Sequence, residues 1–427
     1  MASSSARRGR AKLSARPSRG HRPAEATTRL RILFLASQFP FPADNGGAIK
    51  TLSVLDHLRQ RHEVRLICFR RSTPTQAQDA WAKAFGDVRT VALDRGRSAL
   101  TLVRSYLSRV PLSIERNRSS EMRKLAAESV REWAPDAVFV DGWLMAQYVP
   151  DSYTGRRILH EHNAEYELWE RQAKLESGAR KPLAAREAER VKRYELALLD
   201  GFDVIFAVSE EDRRTLRCLG GDANKIRILA NIPDRTLLDA PAPAFERTQP
   251  LVLYLATLSW QPNIEGVERF VSSVFPLVHK QSPEARLVVA GRGASPSLRQ
   301  RVKATEGAEF AGEVDNPEAL YESARVFVDA TQSGGGTRLK VLNALARGIP
   351  VVASGLAAQG LDIVAGEHVL VARNEHAMAE AIVSLLHDPA RWKILSQNGR
   401  ALIRSRYVSE VAFRALDEVL AQTPARP

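Results

Sequence analysis

Gly334-Gly335-Gly336-Thr337-Arg338, followed by Lys340, is a residue set suited to holding an anion. Glycines let backbone N–H groups come close to a ligand, while Thr337, Arg338 and Lys340 add a hydroxyl and two positive charges. The apolar strand Val326–Asp329 precedes the set, and Leu339, Leu342, Leu345 and Ala346 follow it at helical spacing. Gly348 and Pro350 then end the helix ahead of a second strand, Val351–Ser354. The order is strand, glycine loop, helix, strand, which is a βαβ unit. Cations in a first helical turn are unfavourable by about 0.3–1 kcal/mol each unless an anion sits there. A phosphate at that helix end would use both the free N–H groups and the charges. A solvated surface turn is the alternative.

A second set, His160-Glu161-His162-Asn163-Ala164-Glu165, closes the apolar strand Arg156–His160 and opens a long charged helix. Two histidines at i, i+2 share one face of a strand and have the spacing to begin a metal site. The sequence offers no evident third ligand, so no metal is expected, and capping the next helix is the plainer role. Gly46-Gly47 form a third set, ending the proline-rich loop that follows Arg31–Ala36 and opening the helix Ala48–Arg59. No GxGxxG occurs there, which excludes a dinucleotide fingerprint. By itself the glycine pair is a tight turn.

These sets must be positioned by two domains. At 427 residues the chain exceeds one ordinary core and suits two of about 200. Apolar runs at Arg31–Ala36, His62–Phe69, Val88–Ala92, Ala137–Val140, Arg156–His160, Asp203–Val208 and Ile226–Leu229 read as buried strands of a first parallel sheet. A helix over Tyr166–Leu199 is expected to break or kink at Pro182. Ser209 caps the next helix, with acids in its first turn. Asn231–Pro250 holds four prolines with little periodicity and reads as the linker. Strands then resume at Leu251–Leu255, Leu287–Ala290, Glu309–Ala311, Val326–Asp329, Val351–Ala353 and Val369–Val371, and helices follow at Glu375–Leu386, Pro389–Ile403 and Ser409–Ala421. The boundaries are a disordered basic tail (1–30), a first domain (31–230), a linker (231–250), a second domain (251–404) and a C-terminal helix (405–427).

The composition, 44% hydrophobic and 26% charged, is that of a soluble globular chain. No run of 18 apolar residues occurs to span a membrane. Cys68 and Cys218 are the only cysteines, which excludes a disulfide scaffold and a cysteine-ligated zinc site and suits a reducing compartment. Of the formal net charge of +13, residues 1–31 supply +8, from nine Lys or Arg against Glu25. This tail has no apolar core of a signal peptide, and no RNP-like or zinc-finger pattern points to specific nucleic-acid binding. Its cations give it a means of resting on an anionic membrane surface.

The central stretch resembles the donor-binding segment of retaining GT-B glycosyltransferases of family 4, the glycosyl transferases group 1, in a branch patterned GxGTRxKxLEAxAxGxPVV. The matching residues are Gly334, Gly336, Thr337, Arg338, Lys340, Leu342, Ala344, Ala346, Gly348, Pro350, Val351 and Val352. Asn343 stands where that pattern has glutamate, and the other glutamate of the wider family would fall at Gly335. Trp260, Pro262 and Asn263, the Gly291-Arg292-Gly293 turn and the 312–316 segment resemble the same branch in the same order, over roughly 31–420.

The resemblance implies a GT-B fold, two facing Rossmann-like domains with a cleft between them. It implies a nucleotide-diphosphate sugar as donor substrate, no cofactor and no metal, and a glycan or lipid-linked acceptor. Gly46, Gly47, Gly335, Gly336, Thr337, Arg338, Lys340 and Asn343 would bind the donor. His162 would face the transferred sugar as the catalytic residue, with His160 and Asn163 as further sugar contacts. The last helix would cross back to the first domain. The expected location is cytoplasmic, with peripheral contact on the inner membrane face. Absence of any Asp-x-Asp argues against the metal-dependent GT-A class, and absence of Gly-x-Ser-x-Gly against a serine hydrolase. An epimerase-like GT-B enzyme and a non-catalytic GT-B module binding a nucleotide or a partner transferase are the rivals, the latter because of Asn343. Replacing Arg338 or Lys340 in the unliganded protein should leave the fold unchanged or slightly steadier.

Deleting residues 1–28, which lack apolar periodicity, is expected to leave the fold and turnover on a soluble acceptor intact. Circular dichroism and an activity assay of the truncated chain check this, and loss of the folded signal overturns it.

Overall fold

The structure, a computed structural model, describes residues 29–43, 45–71, 73–92, 99–178, 180–314, 316–333 and 339–425. The tail 1–28 and the donor candidates Gly335, Gly336, Thr337 and Arg338 lie outside the described residues. Leu30, placed in the tail by the sequence boundary, is buried in the first-domain core.

The first sheet has seven parallel strands: β1 (Arg31–Ala36), β2 (Glu63–Arg70), β3 (Val88–Ala92), β4 (Ala137–Asp141), β5 (Arg156–Glu161), β6 (Val204–Ala207) and β7 (Ile226–Ile228). Their order is β3-β2-β1-β4-β5-β6-β7. The second sheet has six: β8 (Leu251–Leu255), β9 (Arg286–Ala290), β10 (Ala308–Gly312), β11 (Val326–Asp329), β12 (Val351–Ser354) and β13 (Leu370–Ala372), ordered β10-β9-β8-β11-β12-β13. Both are doubly wound. In each, strand order reverses between the first and fourth strands, and such a reversal opens a crevice at the carboxyl edge where ligands bind. The chain is therefore a GT-B fold, two Rossmann-like halves.

The inner strands form where apolar runs are dense enough to be buried on both faces, whereas the edge strands β3 and β10 are largely open. Phe34 and Phe139 stack at 4.9 Å on one face of the first sheet, under the helix Gly46–Arg59. Leu33, Val138, Leu159 and Ile205 fill the other face.

Three elements depart from the sequence reading. The long helix is two, Glu165–Leu175 and Arg180–Gly201, so the break precedes Pro182. Pro182 lies in the first turn of the second helix, where a missing N–H costs little. The segment Asn231–Pro250 carries the short helix Arg235–Asp239 and a 3₁₀ turn, Phe245–Arg247. Most of it is bound to the second domain. Asn343 Oδ1 accepts from Asp234 N (3.0 Å), and Arg400 donates to Leu238 O and Ala240 O (2.6 and 2.9 Å). The final helix is broken at Phe413 into Ser409–Ala412 and Arg414–Ala421.

That last helix packs on the first domain. Phe413, Leu416, Val419 and Leu420 join the core under β1 and β4, and Asp417 accepts from His57 (2.8 Å) and Arg61 (2.6 Å). The domains are thus bridged twice, just after β7 and around Val408. They also touch across the cleft. Ser209, just past β6, lies 3.5 Å from where a Cβ on Gly360 would sit, and Gln359 donates to Glu211. Hence the carboxyl edges of the two sheets face each other.

Candidate active site

Register builds the first-domain centre. Ala36 pairs with Asp141, and Asp141 with His160, so the ends of β1, β4 and β5 lie side by side at the switch point. His162 follows two residues on and keeps the same face. Asp141 Oδ1 accepts from His160 Nδ1 and His162 Nε2, each at 2.8 Å, and Oδ2 accepts from the Thr51 hydroxyl. Thr51 reaches it from the helix opened by Gly46-Gly47, which starts at Gly46 rather than Ala48. Asn45 caps that helix by accepting from Ala48 N, and Gln38 Nε2 bonds the same oxygen. A Cβ at Gly47 would meet both side chains at 3.3 Å, whereas Gly46 faces open space.

Asp141 and His160 are fully buried and His162 is half-buried, at the cleft surface. Burial opposes the charge on Asp141, but the two imidazoles outweigh it and hold the carboxyl below the usual carboxylate range. Burial pushes His160 down to about 3, helped by the nearby Lys50 charge, so its ring is neutral with the proton on Nδ1. Asp141, His160 and His162 also place three ligand-type atoms within 4.8 Å of one another, which supplies the third group that the sequence did not reveal. Here the carboxylate is already occupied by donors on both oxygens.

Behind His162, Ala164 cannot cap the helix Glu165–Leu175. Glu195 does so from the neighbouring helix, accepting from Glu165 N and Tyr166 N at 2.8 and 2.9 Å. Asp212 takes Ala164 N at 3.2 Å, and Asn163 Nδ2 donates to Glu165 (3.3 Å). Burial raises Glu161 and Glu195 above their ordinary range, and Glu165 to about 7. The His162 loop is thus fixed from two helices.

Lys50, one residue before Thr51, is also buried, and burial lowers it to about 7 against the pull of Asp141. Its Nζ donates to Leu229 O and Ala230 O (2.8 and 2.7 Å), where the chain leaves the first domain. Nothing in the sequence singled out Lys50, Thr51 or Asp141. Their partners lie from 19 to 180 residues away.

The second-domain centre has the same plan. Asp329 ends β11, the fourth strand of its sheet, and is fully buried. Lys340 Nζ lies 3.0 Å from Asp329 Oδ1, 2.9 Å from Asn263 Oδ1 and 3.1 Å from Thr331 Oγ1. Asn263 comes from the helix after β8, so Lys340 spans that sheet's switch point. The adjoining loops approach closely: a Cβ on Gly291 would stand 1.7 Å from Ala256 O. Lys340 lies in the Leu339–Arg347 helix with Asn343, whose Oδ1 is engaged by the linker. The structure brings His160, His162 and Asn163 together near Gly46-Gly47, and places Lys340 at the facing sheet edge.

Each of the two Rossmann-like halves thus carries a buried aspartate and its donors at the switch point. Residues 45–231 match the glycosyl transferase 4-like domain and residues 249–388 the glycosyl transferases group 1 domain. The chain therefore carries both domains of that family.

It is 31% identical over 206 residues to the phosphatidyl-myo-inositol mannosyltransferase of Mycobacterium leprae, covering 46% of this chain and 54% of that one. It is 30% identical over 168 residues to the lipopolysaccharide core biosynthesis mannosyltransferase LpsB of Rhizobium meliloti, covering 36% and 47%. The chain spans about half the length of these relatives. Among solved structures, Anabaena Alr3699/HepE in complex with UDP and glucose superposes with a TM-score of 0.64 at 12% identity, over 92% of this chain and all of that one.

The Lys340 geometry overturns the expectation that its loss leaves the fold unchanged. Lys340→Ala strands a buried carboxylate, which is expected to cost about 3–5 kcal/mol. Urea denaturation checks this, and a loss under 1 kcal/mol overturns the pairing. A second expectation concerns pH. His160 titrates near 6.5 in the unfolded chain and about 3 in the folded one. The unfolded state therefore binds more protons between those values, and stability is lost as pH falls from 6.5 towards 3. From pH 7 to 5 the wild type should lose roughly 2 kcal/mol relative to His160→Asn. A constant difference between the two urea curves contradicts it.

Proposed function

We propose that the chain transfers a sugar from a nucleoside-diphosphate donor to a glycan or lipid-linked acceptor, with retention at the sugar carbon and without a metal ion or cofactor. The observation that carries this reading is the pair of switch-point centres facing one another across the cleft, one built on Asp141 and two histidines and the other on Asp329 and Lys340. The names of the two mannosyltransferase relatives and the UDP and glucose of the Anabaena complex agree with it.

In this reading the diphosphate lies at the second domain, at the N-terminal end of the Leu339–Arg347 helix. Arg338 and the Gly335-Gly336-Thr337 backbone contact it, and the anchored charge of Lys340 adds to the field. Charge that develops on the leaving diphosphate is met by fixed donors, which is where preorganised electrostatics contribute most. Asn343, on the same helix, serves the nucleoside side. His162 donates its Nε2–H to Asp141, leaving Nδ1 to accept from a sugar hydroxyl. Asp141 orients His162 and His160, and Asn163 and the Gly46-Gly47 helix end complete the sugar and phosphate contacts. The bond from the sugar carbon to the phosphate oxygen breaks, its electron pair leaves on the diphosphate, and the acceptor hydroxyl oxygen bonds to that carbon while its proton passes to the departing phosphate oxygen. Metal independence is supported by the saturation of Asp141 and by the local cations, which can neutralise the diphosphate.

The test assays UDP- and GDP-sugars with glycan and lipid-linked acceptors. His162→Ala is expected to lower kcat by about 10²-fold, with UDP or GDP affinity within threefold of wild type and turnover unchanged by EDTA. Equal loss of nucleotide affinity and of the folded signal would mark His162 as structural. Inhibition by EDTA that added metal restores would overturn the metal-free reading.

A further inference from the structure

Strand β5 ends in His160 and Glu161, and alternation sends the two side chains to opposite faces of the sheet. His160 meets Asp141, so Glu161 turns to the face that the helix Arg180–Gly201 covers through Leu199. Glu161 is fully buried, and neither of its carboxyl oxygens has a hydrogen-bond partner among the described residues. The proposed transfer chemistry leaves it unused.

Glu195, on the covering helix, is equally buried but fully engaged. Its two oxygens take Glu165 N and Tyr166 N, the leading donors of the helix that begins just past His162. These bonds tie the segment carrying His162 and Asn163 to the body of the domain, because Ala164 has no capping side chain. Two N–H donors at a helix N-terminus favour a carboxylate.

No donor favours one at Glu161, and the carboxyls that act on it, Glu195, Glu165 and Asp212, all oppose its charge. Burial and then Glu161 push the Tyr194 phenol up, so it stays neutral. Cations on the surrounding helices are paired elsewhere: Arg171 with Glu167 (2.6 Å), Arg213 with Glu210 (2.8 Å) and Lys192 with Glu170 (3.7 Å). His162 acts on Glu165 instead. A buried carboxyl so placed takes a proton in place of a partner. Burial raises both members, but the two N–H bonds pull Glu195 back to about 8, whereas Glu161 stays well above the ordinary range.

We propose that Glu161, as an uncharged acid, and Glu195, as the acceptor of the two N–H groups, are a positioning pair that holds the His162 loop in place. An ionised Glu161 would set like charges side by side in a dry site, and Glu195 could escape only by leaving Glu165 N and Tyr166 N. The pair touches no substrate and acts through His162. Opening of the loop wets Glu161 and releases its proton, so opening grows easier as pH rises above the ordinary carboxyl range. Each pH unit multiplies the opening equilibrium by about ten until the closed form ionises as well.

The test is hydrogen-exchange mass spectrometry of the full chain, corrected for intrinsic exchange, on wild type, Glu161→Gln and Glu195→Gln. Gln copies the uncharged acid at 161 and removes one acceptor oxygen at 195. Between about pH 5.5 and 7.5, wild-type protection of 163–168 is expected to fall about 10²-fold more than that of Glu161→Gln. Glu195→Gln is expected to lose about tenfold at the lowest pH already. Equal falls in wild type and Glu161→Gln overturn the proposal, and so does an excess of the same size in β1, which marks global unfolding. Should Glu161→Gln fail to fold by circular dichroism, Glu161→Leu replaces it. Failure of both to fold shows that the site needs a charge and overturns the proposal.

The consequence for turnover rests on the proposed sugar transfer. The alkaline fall of kcat is expected about one pH unit higher in Glu161→Gln, with UDP or GDP affinity unchanged. Transfer with identical pH profiles overturns the positioning role, whereas absence of any transfer refutes that function and leaves the exchange result standing.

Discussion

A carboxylate withdrawn from water must be met by donors or give up its charge, and Asp141 is met from three directions at once. Thr51 comes from the helix after β1, His160 from β5, and His162 from the loop beyond it. None of these side chains could keep its place without the others, because the carboxylate fixes the tautomer and orientation of both rings. Phe139, two residues earlier on the same face, sets the floor on which His160 rests, with ring centroids 5.9 Å apart. The site therefore depends on packing as much as on hydrogen bonds: a slip in β4 register would remove the aspartate from all three partners.

The second domain solves the same problem with the opposite sign of partner. Asp329 occupies the place in its sheet that Asp141 has in the first, yet its donor is an ammonium rather than imidazoles. Since an ammonium has three hydrogens, Lys340 can satisfy Asp329, Asn263 and Thr331 together. The first half thereby presents imidazole rings on its carboxylate, and the second an ammonium–carboxylate ion pair. This difference gives the cleft a direction.

Much of the architecture was legible in the sequence because buried parallel strands read as short apolar runs; the edge strands β3 and β10 are less apolar and less buried. Glycine and proline marked the ends of the Leu339–Arg347 helix for the same local reason. The chemistry was less legible. His162 stood out by its place at a strand end, but Asp141 is 21 residues away in sequence and joins it only through strand pairing. Lys340 was visible as a cation in a first helical turn, an apparent mismatch, because its partner Asp329 lies on the far side of the glycine loop. Pro182 drew the helix break to itself although a proline in a first turn is compatible with helix. The break after Leu175 carries Ser177 and Gly178, a signal that the proline overshadowed.

The linker shows how these local arrangements become a property of the whole molecule. Its proline content marked it as the linker, and from Asp234 onward it is bound to the second domain through Asn343, Arg347 and Arg400. Lys50 holds the carbonyls of Leu229 and Ala230 on the first-domain side. Only Asn231–Pro233 remain between these two sets of bonds, so relative motion of the halves is confined to a few residues there and to the second crossing near Val408. Lys50 also precedes Thr51, the donor to Asp141, on one helix, and its ammonium stands 5.5 Å from the Phe413 ring of the returning segment. One buried side chain thus touches the hinge, adjoins the residue that fixes the histidine pair, and packs against the chain's second crossing. Any change in the angle between the halves must be accommodated where Lys50 sits, which ties the geometry of the cleft to that of the site in its first wall.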